Sequence, residues 1–179
     1  MAKFTLHSIE SAPEASQSLL QGAKEQMGMV PNLFAVMAES PQLLEAYQTI
    51  DGLFQKAGFN SNELTVVWQT INVFHHCHYC VPAHTAIAKT MGVDDDITPS
   101  IKAGEALEDE KLEALRQFTT SMVEHRGDVD DDTVAAFLSA GYEQRHVLAV
   151  VLGIAHKTMS NYTNHLAETP IDEPFKKFA

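Results

Sequence analysis

The sequence predicts an all-α protein, a single-domain helical bundle, and three observations carry that prediction. Apolar residues recur at intervals of three and four along most of the chain, and no convincing run alternates with the period of a half-buried strand. Proline and glycine punctuate these runs where helices start and stop, as at Ser40-Pro41 and Gly58. The 179 residues are enough for one domain with a real core and too few for two comfortable ones. One domain is therefore expected over 1–179, with a core at 28–168, an N-terminal extension at 1–27 and a tail at 169–179.

Taken in order, Pro13 opens a short polar helix that ends near Gly22 or Gly28. Pro31 starts PNLFAVMAES, whose apolar face is Leu33, Phe34, Val36 and Met37. A cap residue followed by proline, Ser40-Pro41, begins the next helix, with Leu43, Leu44, Tyr47, Ile50, Leu53 and Phe54 at intervals of three and four. The segment from Asn60 to Glu63 leads into LTVVWQTINVF, rich in β-branched residues that would suit a strand. A length of about 14 residues, apolar on most sides, favours a buried helix, with Trp68 and Phe74 as core.

Pro82 is tolerable only in the first turn of the next helix, which Gly92 closes. Asp94-Asp95-Asp96 and Thr98-Pro99-Ser100 read as a polar break. Helices follow at 109–125 and 130–139, separated by Arg126-Gly127-Asp128. The last runs over 143–167, with Val147, Leu148, Val151, Leu152, Ile154 and Ala155 as its expected buried stripe. Pro170 terminates it, and the charged residues from 171 onward are expected to be mobile.

Apolar residues make up 45% and charged residues 20%, the balance of an ordinary globular protein. A net charge of −12 argues against nucleic acid or an anionic membrane as partner, since both need a basic face. No stretch approaches the length of an apolar membrane span, and Met1 to His7 lacks the apolar run of a secretory signal, so a cytoplasmic location is expected. In that compartment a lone pair of cysteines is catalytic or metal-binding more often than a structural staple.

Both cysteines lie in HHCHYCVPAH, residues 75–84, together with four of the nine histidines. Cys77-x-x-Cys80 places two thiols one helical turn apart, within reach of a disulfide. Near a helix N-terminus, unpaired backbone N–H groups favour a thiolate, which points to Cys77. His84 lies four residues beyond Cys80, where an imidazole on the same helix face could move a thiol proton. Every part of Cys-x-x-Cys-x-x-x-His suits reversible thiol oxidation. The same residues could instead give zinc three ligands, with His75, His76 or His78 as the fourth. A structural zinc site normally uses two separated ligand pairs, and no second pair is present, so the spacing favours redox chemistry. His75 and His76 read as solvated residues at a helix junction, while His78, between the two sulfurs, stays open.

With these segments in hand, the chain resembles the carboxymuconolactone decarboxylase-like superfamily, in its AhpD-like alkylhydroperoxidase or peroxidase-related branch. The residues that carry the resemblance are MVPNLFAVMAESPQLLEAY at 29–47, NELTVVWQTIN at 62–72 and CHYCVPAHTAIAK at 77–89. It implies an all-α homo-oligomer, commonly a dimer, trimer or hexamer. It also implies reduction of a small hydroperoxide by the cysteine pair, with regeneration by an external dithiol such as a lipoylated protein and no bound cofactor or metal. Carried over by residue, Cys77 and Cys80 become the redox pair and His84 the proton-transfer residue.

Two departures from the family pattern stand out. The relay glutamate expected twelve residues before the first cysteine is Thr65 here, and the nearest acid is Glu63. A shift of two residues rotates a side chain by about 200° around a helix, so Glu63 reads as an N-terminal acid of its helix. Tyr79 stands where the family often has histidine, leaving His78, Gln69 or water for proton transfer. The spacing to His84 and the resemblance favour Cys80 as attacker and Cys77 as resolver, against the helix-terminus argument for Cys77. His156, Asn161, Asn164 and His165 form a second polar cluster, which either compensates for the missing glutamate or, the reading slightly favoured, is a solvent-exposed helix end. Three rival readings remain: a disulfide reductase or carrier that never meets peroxide, a metal-binding or sensory protein, and a scaffold with inert thiols.

Overall fold

The structure, a computed structural model, describes residues 4–179; the first three residues of the Met1–His7 segment read above for a secretory signal lie outside the described residues. Among the described residues there are nine α-helices and one 3-10 helix, with no strand, so the fold is all-α as the periodicity predicts. The helices are α1 (Glu14–Met27), α2 (Asn32–Met37), α3 (Pro41–Phe54), α4 (Ser61–Phe74), α5 (Cys80–Met91), α6 (Ile97–Ala103), α7 (Glu110–Glu124), α8 (Asp131–Ser139) and α9 (Gln144–Ala167). The 3-10 helix, Glu173–Phe178, ends the chain.

Helix α4 is the centre of the bundle, packed by α5, α6, α7 and α9. Its β-branched residues do not make it a strand, because a capping box starts it: Asn60 Oδ1 accepts from Glu63 N–H, and Glu63 Oε2 accepts from Asn60 N–H. That is the N-terminal role expected of Glu63. Residues 63–72 of α4 are all buried, whereas Phe74, expected in the core, is 38% exposed at the last position of the helix.

Residues 97–103, expected to form part of a polar break, make α6. Pro99 falls at the third helical position, where its missing N–H has no intrahelical partner to lose. Ile97 and Ile101, four apart, are both buried. The proline and its polar flanks masked that short apolar face.

The last helix departs furthest from its sequence pattern. Leu148, Val151 and Ala155, expected to be buried, face outward. Val147, Leu152 and Ile154 are only partly covered. The face turned inward over the second half carries His156, Lys157, Ser160, Asn161 and Asn164. Gly153 makes the approach possible: a Cβ there would meet Val67 Cγ1 at 2.8 Å and the Phe54 ring at 2.9 Å. Burial divides into one apolar cluster around α4, α7 and α8 and another joining α1, α2, α3 and the cysteine segment.

The tail is not loose. Asp172, 6% exposed, accepts from Asn32 N–H at 3.1 Å and from the Tyr79 hydroxyl. Asn32 Nδ2 donates to Pro170 O at 2.9 Å, and the Phe175 ring packs edge-on to Tyr79. Charged residues beyond Pro170 hid a single buried carboxylate that ties the end of the chain to α2 and the cysteine loop.

Candidate active site

The turn between α4 and α5 positions the first sulfur. His76 adopts a left-handed conformation (φ 51), His76 N–H donates to Val73 O, and Cys77 N–H donates to Asn72 O at 3.0 Å. These are the two bonds of a Schellman helix end, and they deliver Cys77 into the protein directly after α4. Cys80 is the first residue of α5, and its N–H donates to Cys77 Sγ at 3.3 Å. Both cysteines are free and buried. The first N–H of α5 thus points at Cys77 Sγ, as the helix-terminus argument expects, but other groups decide which sulfur is the thiolate.

From α9, Asn164 Nδ2 donates to Cys80 Sγ at 3.2 Å and lies 3.9 Å from Cys77 Sγ. Asn161 Nδ2 donates to Asn72 Oδ1 at 3.0 Å, and Asn72 Nδ2 to Gln69 Oε1 at 3.1 Å. Of the cluster read as a solvent-exposed helix end, His156, Asn161 and Asn164 are buried and only His165 faces outward. Gln69 Nε2 donates to Val81 O and Thr85 Oγ1, which fixes the first turn of α5.

The two thiols are held in opposite states. Burial acts to raise the Cys80 pKa, but the Cys77 thiol donating to it, the charge of Lys157 and the Ser160 and Asn164 side chains outweigh burial and lower it to about 5. Cys77 is pushed up, first by donating to Cys80 and then by its own burial. The arrangement is thus a Cys80 thiolate beside a Cys77 thiol. Tyr47, its ring tilted against His156 at 4.6 Å, stays a neutral phenol because burial, and next the Cys80 charge, raise its pKa.

His84 lies one turn along α5 and packs its ring against Trp68 at 5.0 Å. Its Nε2 is 2.8 Å from Lys157 Nζ. An ammonium has only donors, so Nε2 accepts and the ring proton sits on Nδ1. Burial, then the charges of Lys157 and His156, hold the His84 pKa well below the ordinary range, which keeps the imidazole neutral. His156 is fixed by the same logic: Trp68 Nε1–H donates to His156 Nδ1 at 3.2 Å, leaving the proton on Nε2, 3.5 Å from Asp51 Oδ1. Burial raises the Asp51 pKa, partly offset by Lys157.

Cys80, His84, Lys157, His156, Tyr47 and Asp51 line one cavity of about 280 Å³. Its remaining walls are mostly apolar, including Leu33, Phe34, Trp68, Ile87, Met91 and Phe175 from the tail, with Gln55 and Tyr79 as the polar exceptions. Cys77 lies behind Cys80, outside this lining. The structure thus gathers Cys77, Cys80 and His84 into one site. His78 is exposed and bonded to Thr169 O, while His75 and His76 lie at the outer surface. Among the described residues no three His, Cys, Asp or Glu side chains come together as a metal ligand set. Lys157, Ser160, Asn72, Tyr47 and Asp51 were not singled out from the sequence as site residues. The polar residues at 157, 160, 161 and 164, spaced three and four apart inside a helix, were the available signal.

No family model matches the sequence, and no curated protein matches it either. Solved structures do. An uncharacterized peroxidase-related protein from Ralstonia eutropha, described as an alkylhydroperoxidase AhpD core, superposes with a TM-score of 0.86 at 16% identity, over 97% of this chain and 93% of its own. A peroxidase-related protein from a Silicibacter species gives 0.78 at 16% identity, covering 97% and 95%. The debrominase Bmp8, in a cysteine-to-alanine variant with 2,3,4-tribromopyrrole, gives 0.79 at 16% identity, covering 99% and 96%. The chain has the AhpD-like all-α fold.

Proposed function

We propose that the protein is a thiol-dependent hydroperoxide reductase acting on small organic hydroperoxides, with Cys80 as attacking thiolate, Cys77 as resolving thiol and His84 as proton-transfer residue. The observation that carries this reading is a pair of buried thiols of opposite ionisation beside an apolar cavity. The thiolate attacks the distal oxygen of the hydroperoxide, the O–O bond breaks, and Cys80 becomes a sulfenic acid as an alkoxide departs. His84 Nδ1–H protonates the alkoxide, giving the alcohol. The Cys77 thiol then condenses with the sulfenic acid, forming the Cys77–Cys80 disulfide and releasing water. An external dithiol of lipoyl type returns the pair to its reduced form, so no bound cofactor or metal is needed.

A cavity of about 280 Å³ sits at the small end of the range for ligand pockets, which suits a compact organic group. No helix among the described residues is long and apolar enough to cross a membrane. A cycle that depends on reduced thiols fits the cytoplasm. Assembly with further copies of the chain belongs to the same reading, supported by the outward apolar stripe of α9.

The first test is to treat fully reduced protein with one equivalent of an organic hydroperoxide, then take intact mass and free-thiol count. The expected result is a loss of two hydrogens and both thiols. Cys80→Ser should abolish turnover, and Cys77→Ser should stop at a trappable sulfenic acid. Unchanged thiols in the wild type would overturn the reading. If dihydrolipoamide reduces the disulfide but peroxide does not form it, the protein is a dithiol carrier.

The ring-walled cavity and the likeness to a debrominase favour a second reading. The same dithiol could reduce a bromopyrrole, exchanging carbon-bound bromine for hydrogen with release of bromide and formation of the disulfide. Bromide release measured beside peroxide turnover separates the two.

A further inference from the structure

Lys157 is fully buried on α9, with its ammonium on His84 Nε2, and the peroxide cycle above gives it no task. A buried ammonium is costly unless an anion compensates it. The titratable groups around it are Cys80 and His84 from α5, Tyr47 and Asp51 from α3, its neighbour His156, and Cys77 behind Cys80. Tyr47, His84 and His156 are neutral and Cys77 is a thiol, which leaves two anions. Asp51 is 36% exposed at its side chain, so water screens it. The Cys80 thiolate is the buried counter-charge.

Oxidation to the disulfide removes that thiolate. If Lys157 kept its proton, the oxidised site would hold an uncompensated buried cation. We infer that Lys157 is the proton store of the redox cycle, charged while Cys80 is a thiolate and neutral while Cys80 is in the disulfide, with His84 carrying the proton between lysine and substrate. The inference rests on the dithiol reading of the site.

The balance closes. Thiolate attack on the hydroperoxide yields the sulfenic acid and an alkoxide. The alkoxide takes the His84 Nδ1 proton, and His84 Nε2 takes one from Lys157, leaving a neutral amine. Condensation with Cys77 releases water. Reduction by an external dithiol transfers two electrons and two protons, one proton restoring the Cys77 thiol and the other restoring the Lys157 ammonium. The net charge of the site is the same in both redox states. Lys157 touches neither peroxide nor disulfide in this scheme, and acts through His84 and through its field on Cys80.

The test needs no peroxide, so its outcome is independent of the substrate. Thiolate absorbance of the reduced protein is titrated, and its exchange equilibrium with dithiothreitol is measured between pH 6 and pH 8. A reference dithiol in this range takes up two protons with two electrons. If reduction also restores the Lys157 proton, the wild-type protein shows thiolate at pH 7 and an exchange constant independent of pH. Were Lys157 to keep its proton throughout, the protein would take up one proton fewer and the constant would change tenfold per pH unit, which overturns the inference.

Lys157→Arg supplies a charge that cannot be given up. It should retain the thiolate and acquire the tenfold dependence. Lys157→Met should lose the thiolate signal at pH 7. Arginine and methionine variants that fold, by circular dichroism, and titrate like the wild type would also overturn it. The wild-type measurement stands alone should either variant fail to fold.

Discussion

At Cys80, burial and polarity act with opposite signs, and polarity prevails. A sulfur buried in an apolar cluster would ordinarily stay protonated, but the Cys77 thiol, Lys157, Ser160 and Asn164 converge on it and lower its pKa to about 5. This has a consequence for stability. An unfolded cysteine ionises near pH ~8.5, so the folded-state preference for thiolate is fully present above that value and is lost as pH falls toward 5. Cys77, raised in the folded state, acts in reverse above about pH 8.5, which closes the window at its upper end. The melting temperature of reduced wild type minus that of a Cys80→Ser, Lys157→Met double variant, in which no lysine proton can be lost in place of the thiol's, should therefore rise between pH ~5 and pH ~8.5. Neutral buried His84 and His156 add a loss below about pH 6.5 that both proteins share and the difference cancels. A flat difference would mean that Cys80 is a thiol in the folded protein.

At the scale of the element, two segments act against their sequence patterns. Helix α9 points Lys157, Ser160, Asn161 and Asn164 inward and Leu148, Val151 and Leu166 outward, because its inner face builds a site instead of a core. The tail follows Pro170 as a strap, with Asp172 accepting from the Asn32 amide at the start of α2 and from the Tyr79 hydroxyl beside Cys80. Tyr79, in the place where a histidine was expected, is thereby a structural residue. Its hydroxyl stays protonated through burial and the Asp172 carboxylate. Removing that carboxylate leaves the buried Tyr79 hydroxyl and the half-buried Asn32 N–H without a partner, a loss of roughly 2–3 kcal/mol. At this chain length that corresponds to a fall in Tm of about 5–10 °C. Asp172→Ala should show this in a thermal melt, together with faster proteolysis after residue 170. An unchanged melt would show that the strap is held by Phe175 packing alone.

At the scale of the whole molecule, the site lies where the two apolar clusters meet, with α9 spanning both. Each cluster contributes one wall: Trp68 from the first, and Leu33, Tyr47 and Cys80 from the second. Outside, the exposed residues Leu148, Val151, Tyr162 and Leu166 fall on one side of α9, with Leu148 and Leu166 each 69% exposed. In the proposed assembly this side of α9 is the contact surface. A symmetric pairing with a second copy would bury the stripe of both at once. Sedimentation should show an oligomer, and Leu148→Glu combined with Leu166→Glu should shift it to monomer without loss of helicity. A wild-type monomer would remove the assembly from the reading.

The helices and the chemistry of the motif were legible in the sequence because both are local. Period-3.6 burial, the Asn60–Glu63 cap, the glycine stops and the spacing from Cys77 to Cys80 to His84 each depend on residues within a turn or two of one another. The fold class followed from them, as did the reading of Glu63 as a cap. What only the tertiary structure decided is which face of α9 turns inward, and that choice is set by contacts 73 to 89 residues away along the chain. A lysine among leucines and valines reads as a solvated charge until α5 presents His84 to it, and Asn164 reads as a helix end until two sulfurs lie against it. Hydrophobic periodicity cannot report this, because it assumes that polar groups seek water, and here they satisfy one another in the interior.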